Sequence, residues 1–161
     1  MKGKAADDLS GNASSDTLHA WNMVKIDGKS YYVDLTWDIN LSDKNIIRHD
    51  YFNLTDMDIA IDHTIDKNLP SCKAYDDNYF YKNGLVVTKK AGLQQIVADK
   101  IKKGENAVEF KILDEVIDKN SDMFDILKSC IRLVAGNECF FTLYGTEKSK
   151  QGVYYFEWKS K

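Results

Sequence analysis

His19 and Asp34 are the residues of this chain whose types and spacing best suit joint chemistry. An imidazole changes charge near neutral pH, so it can take a proton and return it. A carboxylate bonded to that ring holds its orientation and tautomer and favours the imidazolium. The stretch joining them, HAWNMVKIDGKSYYVDLTWD from His19 to Asp38, supplies a way for them to meet. Two runs rich in β-branched and aromatic residues flank Asp27-Gly28, a strong signal for a two-residue hairpin turn. With that turn, Ile26 opposes Lys29, Trp21 opposes Asp34 and His19 opposes Thr36. The register predicts Asp34 as the diagonal neighbour of His19 on one face, with Cβ atoms within about 7–8 Å. A three-residue turn would send Asp34 to the other face.

Such a pair commonly activates a nucleophile, and the chain offers three cysteines, Cys72, Cys130 and Cys139. Cys130 falls mid-helix beside Leu127 and Ile131, Cys139 opens an apolar strand, and Cys72 sits in a loop. None has the electropositive setting that makes a thiolate, and a free cysteine is usually a small buried hydrophobe. His49 and His63, with His19 and Cys72, make a metal site only on a count, because their separations match no common zinc spacing. No metal and no cofactor is expected. Trp21, Trp37, Tyr31 and Tyr32 read as core or groove wall, with Trp21 and Tyr32 the residues to which a binding role is assigned.

The elements that must position these groups follow from pattern. Residues 1–18 are polar, small and Gly/Ser-rich and read as a loop. After the first hairpin come a polar loop, Ile39–Asp50, and a short strand, Tyr51–Leu54. Thr55 is placed to cap a helix over Asp56–Asp62, where Asp56 and Asp58 suit the helix dipole. The only proline, Pro70, opens a loop to Asp77, which sets the expected boundary between units 1–77 and 78–161. Asn78–Tyr81 and Leu85–Thr88 flank Asn83-Gly84 and read as a second hairpin. Leu93, Ile96, Val97 and Ile101 mark a helix face closed by Gly104. Val108, Phe110 and Ile112 alternate as a strand. Phe124, Leu127, Ile131 and Val134 mark a second helix face ended by Gly136, and Cys139–Tyr144 and Val153–Trp158 complete the chain as strands. The expected class is α+β: an antiparallel sheet followed by a smaller α+β unit with two helices.

Composition sets the outer limits. With 161 residues, 43% hydrophobic and 12% aromatic, the chain can bury a core. A net charge of −3 gives no reason to expect nucleic acid as a partner. No apolar run approaches the roughly 20 residues that span a bilayer, and the first residues lack the apolar stretch of a signal peptide.

His-Ala-Trp-Asn at 19–22 together with Ile-Asp-Gly-Lys-Ser-Tyr-Tyr-Val-Asp-Leu-Thr-Trp-Asp at 26–38 resembles the transglutaminase-like superfamily of papain-related cysteine enzymes, widespread in bacteria. There a strand beginning His-Ala/Ser-Trp precedes a hairpin ending in Asp-Pro-Thr-Trp. Tyr51–Thr64 resembles the segment that trails this core. The likeness covers the first half of the chain, and Leu35 replaces the usual proline. It implies that His19 is the general base and acid and Asp34 its orienter, acting with a cysteine at a helix N-terminus well upstream. This sequence has no cysteine before His19. The expectation is therefore a truncated cysteine peptidase or acyltransferase core, silent as given. Its alternative is a non-catalytic pseudoenzyme or binding module of a bacterial protein, cell-surface proteins included, since relatives are often exported. Peptide or protein is the substrate class that the resemblance implies. If the catalytic helix is missing, Trp21, Met23 and Tyr32 should lie on an uncovered sheet face, which predicts a homo-oligomer through that face.

Overall fold

The computed structural model describes residues 2–5, 17–43, 46–65, 68–113, 122–136, 141–145 and 149–160. The chain is α+β and divides into two compact units, Met1–Lys82 and Asn83–Lys161.

In the first unit, strands β1 (Lys2–Ala5) and β2 (Thr17–Ala20) pair antiparallel, so strand backbone occurs where the polar composition reads as loop. The hairpin follows as β3 (Asn22–Ile26) and β4 (Lys29–Val33). Its register runs from Ile26 opposite Lys29 to Asn22 opposite Val33, as the two-residue turn requires. Asp27 (φ 47°) and Gly28 (φ 83°) both take the left-handed backbone of that turn. Space around Gly28 is open, so a side chain there meets only backbone strain. Gly28→Val is therefore expected to cost about 1–2 kcal/mol in urea unfolding, and an unchanged midpoint would disprove the turn's energetic role.

The ladder stops at Val33. His19 does not oppose Thr36: it lies on β2, and Thr36 lies in helix α1 (Leu35–Leu41), which begins inside the expected second strand and runs into the expected polar loop. Asp34 is the reason the strand becomes a helix. Its side chain accepts from the Trp37 amide at 3.2 Å, an N-cap bond that satisfies an otherwise unpaired donor.

Tyr51–Leu54 is not a strand. Leu54 makes a single bridge to Tyr32, and the Asp34 amide donates to the Tyr51 carbonyl at 3.0 Å. Helix α2 (Asp56–Ile59) is shorter than predicted and opens with a full capping box between Thr55 and Asp58. Strand β5 (His63–Thr64) then pairs with β1, so β1 lies between β2 and β5.

Trp21 and Tyr32 are not uncovered. They are 3% and 1% exposed and pack with Tyr51, Leu54, Ile59 and Cys72. The ground for expecting a homo-oligomer through that face is removed, as is a surface binding role for the two residues. Leu35, by contrast, sits at the helix start and is half exposed.

The expected second hairpin does not form either. Asn78 is fully buried, donates to the carbonyls of Phe52 and Asn53, and accepts from the Phe80 amide. That makes it the start of a helical turn, α3 (Tyr79–Lys82), rather than a strand residue.

In the second unit, β6 (Val86–Val87), α4 (Lys90–Lys102), β7 (Ala107–Ile112), α5 (Met123–Ala135), β8 (Phe141–Gly145) and β9 (Val153–Ser160) follow in order. They form a sheet ordered β6-β7-β9-β8, parallel at β6–β7 and antiparallel elsewhere. Leu93, Ile96 and Val97 of α4 and Leu127, Cys130 and Ile131 of α5 are buried, while Val134 is partly exposed and leaves the predicted inward face. Among the described residues no helix is long and apolar enough to cross a membrane.

Candidate active site

Sheet register brings two histidines together. Gly3 pairs with His19 on one side of β1, and Ala5 pairs with His63 on the other. Gly3 and Ala5 are two residues apart, so they occupy the same face of the sheet, and their cross-strand partners share it. His19 and His63 therefore lie side by side, ring centroids 5.8 Å apart.

Asp34 reaches both. Its Oδ2 is hydrogen-bonded to Nε2 of His19 and lies 3.0 Å from Nε2 of His63, while Oδ1 holds the Trp37 amide. The predicted pairing of His19 with Asp34 thus occurs, by a different route from the one the hairpin register implied. Asp34 meets the ring from the cap of α1, and His19 comes from a separate strand. The Asp34 side chain is 1% exposed and that of His19 17%, so the histidine is the rim of the site and the aspartate its floor. Among the described residues no hydrogen bond engages Nδ1 of His19.

Behind this pair lies a second one. Nδ1 of His63 is 2.6 Å from Oδ1 of Asp62, and the Tyr51 hydroxyl donates to the other oxygen, Oδ2, at 2.6 Å. The Tyr51 amide donates to Asp38 at 2.7 Å, and Asp38 belongs to α1. Aromatic rings close the site. Trp37 and Trp21 lie 4.6 and 4.8 Å from His63, and 5.6 and 6.0 Å from His19.

The electrostatics follow from these contacts. Burial alone would raise the Asp34 pKa, but bonds from His63, His19 and the Trp37 amide outweigh it and hold the carboxyl below its ordinary value. Burial likewise disfavours a charged His63, yet two carboxylates at its two nitrogens raise its pKa. Burial, then Asp62, pushes the Tyr51 phenol far up, so it remains a donor.

The cysteines lie elsewhere in chemistry. Cys72 is buried, and burial and Asp56 push its thiol up to about 11. Cys130 is buried in α5 and likewise raised by burial. Cys139 lies outside the described residues. His49 joins no cluster with His19; it stacks on Tyr79 with ring centroids 3.6 Å apart.

Among the described residues His19, Asp34 and His63 are the group whose ligand atoms converge, all within 4.8 Å of one another. An ion there would need a lone pair on Nε2 of His63, which the hydrogen-bonding pattern assigns to a proton. The sequence brings His63 forward only in a count with His49, His19 and Cys72; its place beside His19 gives no signal there, because a two-residue strand has no periodicity. The neighbouring Asp62-His63 dipeptide, two groups able to bond each other, is the sign that was there to read.

No protein-family model matches the chain, and a search of curated proteins finds no relative.

Proposed function

We propose that this chain carries the histidine–aspartate part of a transglutaminase-like cysteine acyl-transfer site and is catalytically silent by itself. The observation that carries the reading is the bond that Asp34 accepts from Nε2 of His19, which leaves Nδ1 for a reacting group. Two further features support it. Trp21 and Trp37, both part of the resemblance, flank the histidine. Leu35 occupies the first position of α1, a place where proline is well accommodated, so the family's proline would fit there.

In such a site a thiol gives its proton to Nδ1 of His19, and the thiolate attacks the carbonyl of a peptide or glutamine amide. The imidazolium returns the proton to the departing amine as the C–N bond breaks, leaving a thioester. Water or a second amine then attacks the thioester, His19 takes its proton, and the thiolate leaves. Asp34 orients the ring throughout.

A second reading, a non-catalytic binding module, is favoured by the state of the two described thiols. Cys72 and Cys130 are buried and far from thiolate at neutral pH. Accordingly, incubation with a glutamine-containing peptide is expected to release no ammonia and to form no acyl-enzyme. Stoichiometric labelling of one cysteine by an active-site-directed thiol reagent, abolished by His19→Ala, would overturn the silent state. Genomic DNA upstream of Met1 separates the two readings. An in-frame cysteine-bearing helix supports acyl transfer; a promoter and ribosome-binding site support the binding module.

A further inference from the structure

His63 has a place in this site that the histidine–aspartate pair does not explain. It is fully buried at its side chain, and each ring nitrogen faces a different carboxylate, Asp34 at 3.0 Å and Asp62 at 2.6 Å. Ionised carboxylates only accept, so both nitrogens must carry protons for both bonds to exist. A neutral imidazole would lose one of them and leave a buried acceptor facing a lone pair.

We propose that His63 is a positioning residue for Asp34, an imidazolium clamp that holds the carboxylate in the one orientation His19 uses.

The hydrogen bonds around Asp34 form a closed circuit. Oδ2 is shared between His19 and His63, and Oδ1 is tied to the Trp37 amide, so rotating the carboxylate breaks three bonds. From His63 the circuit runs to Asp62, to the Tyr51 hydroxyl, and back through the Tyr51 carbonyl to the Asp34 amide at 3.0 Å. His63 also offsets the charge of Asp34, which is buried, where an unpaired carboxylate is costly. The titratable groups that face the imidazole are Asp34 from the α1 cap, His19 from β2, Asp62 from its own turn, and Tyr51, whose ring centroid is 5.6 Å away. The elevated His63 pKa, with burial opposed by Asp34 and Asp62, agrees with the geometry.

The same atoms would suit a divalent ion only if His63 gave up the proton at Nε2. Clamp and ion site therefore differ at the His63 Nε2 proton, which can be observed. The clamp's value to catalysis rests on the acyl-transfer reading; the clamp itself does not.

The test is nitrogen-15 NMR of the imidazoles in the full chain near pH 6. Both nitrogens of His63 should be protonated, and the proton between His19 and Asp34 should exchange slowly. His63→Gln keeps a donor at the Nε2 position and should keep the His19 proton protected. His63→Asn keeps one only at the Nδ1 position and should speed that exchange about tenfold or more, the worth of one bond to a charged group. A merely structural role would affect both variants alike, which would overturn the proposal. So would a singly protonated His63 in the wild-type chain, a result readable even if neither variant folds. Stoichiometric zinc displacing the His63 Nε2 proton would overturn it in favour of an ion site. None of these readouts involves turnover, so failure of acyl transfer and failure of the clamp are separate results.

Discussion

Asp34→Ala is expected to lower the stability of the first unit by about 3–5 kcal/mol, the cost of removing one partner from a buried ion pair. That is a large share of the roughly 5–15 kcal/mol that holds a domain together. The size follows from what the carboxylate does at once. It accepts from His19, His63 and the Trp37 amide while 1% exposed. Alanine leaves the His63 imidazolium facing an empty space on one side and uncaps α1. Asp34→Asn separates the two losses. Asparagine is a good N-cap, so this variant should recover the capping part, about 0.5–2 kcal/mol, and none of the charge pairing. Asp125→Ala, at an exposed site in the other unit, should stay within about 0.5 kcal/mol of wild type. Urea unfolding of the three variants measures all of this. An Asp34→Ala midpoint equal to that of Asp125→Ala would refute the account of Asp34 as the electrostatic floor of the site.

The pairing of His19 with Asp34 was legible because residue types and turn chemistry pointed to the same contact, and the hairpin register held as far as Val33. Its route was not legible. A helix of seven residues capped by an aspartate looks, in sequence, like the polar end of a strand. Leu35, Ile39 and Leu41 show no buried stripe, and the first two are exposed. Strand β1 was hidden for a related reason. Lys-Gly-Lys-Ala has no β-branched or aromatic residue, so its strand state comes from pairing on both edges rather than from local preference. Because β1 was invisible, so was the register that sets His63 beside His19. In the second unit the helices were clear from period and glycine stops, since Gly104 (φ 73°) and Gly136 (φ 91°) do end them. The Asn83-Gly84 turn misled, because what precedes it is fixed by the buried side chain of Asn78 and not by alternation.

The stability of the first unit should have a maximum between about pH 4 and pH 6.5 and fall on both sides. The two limbs come from two different residues. Asp34 has a folded pKa below its unfolded value, with burial opposed by His63, His19 and the Trp37 amide. Its contribution is fully present above the unfolded carboxyl value of about 3.9 and is lost as pH falls through the lower folded one. His63 has a folded pKa above its unfolded value, with burial opposed by Asp34 and Asp62. Its contribution is fully present below about pH 6.5 and is lost as pH rises through the higher folded value. The height of each limb reads the corresponding shift at about 1.4 kcal/mol per pKa unit. The chain has three tryptophans, and Trp21 and Trp37 belong to the first unit. A Trp158→Phe background therefore makes fluorescence report on that unit alone. Urea midpoints from about pH 3 to pH 8 trace the profile and stay below the range where unfolded cysteine ionises, about 8.5. His63→Gln in the same background should flatten the alkaline limb and keep the acid one. If stability instead rises from pH 6.5 to 8, or the alkaline limb survives the substitution, His63 is not the charged partner of Asp34.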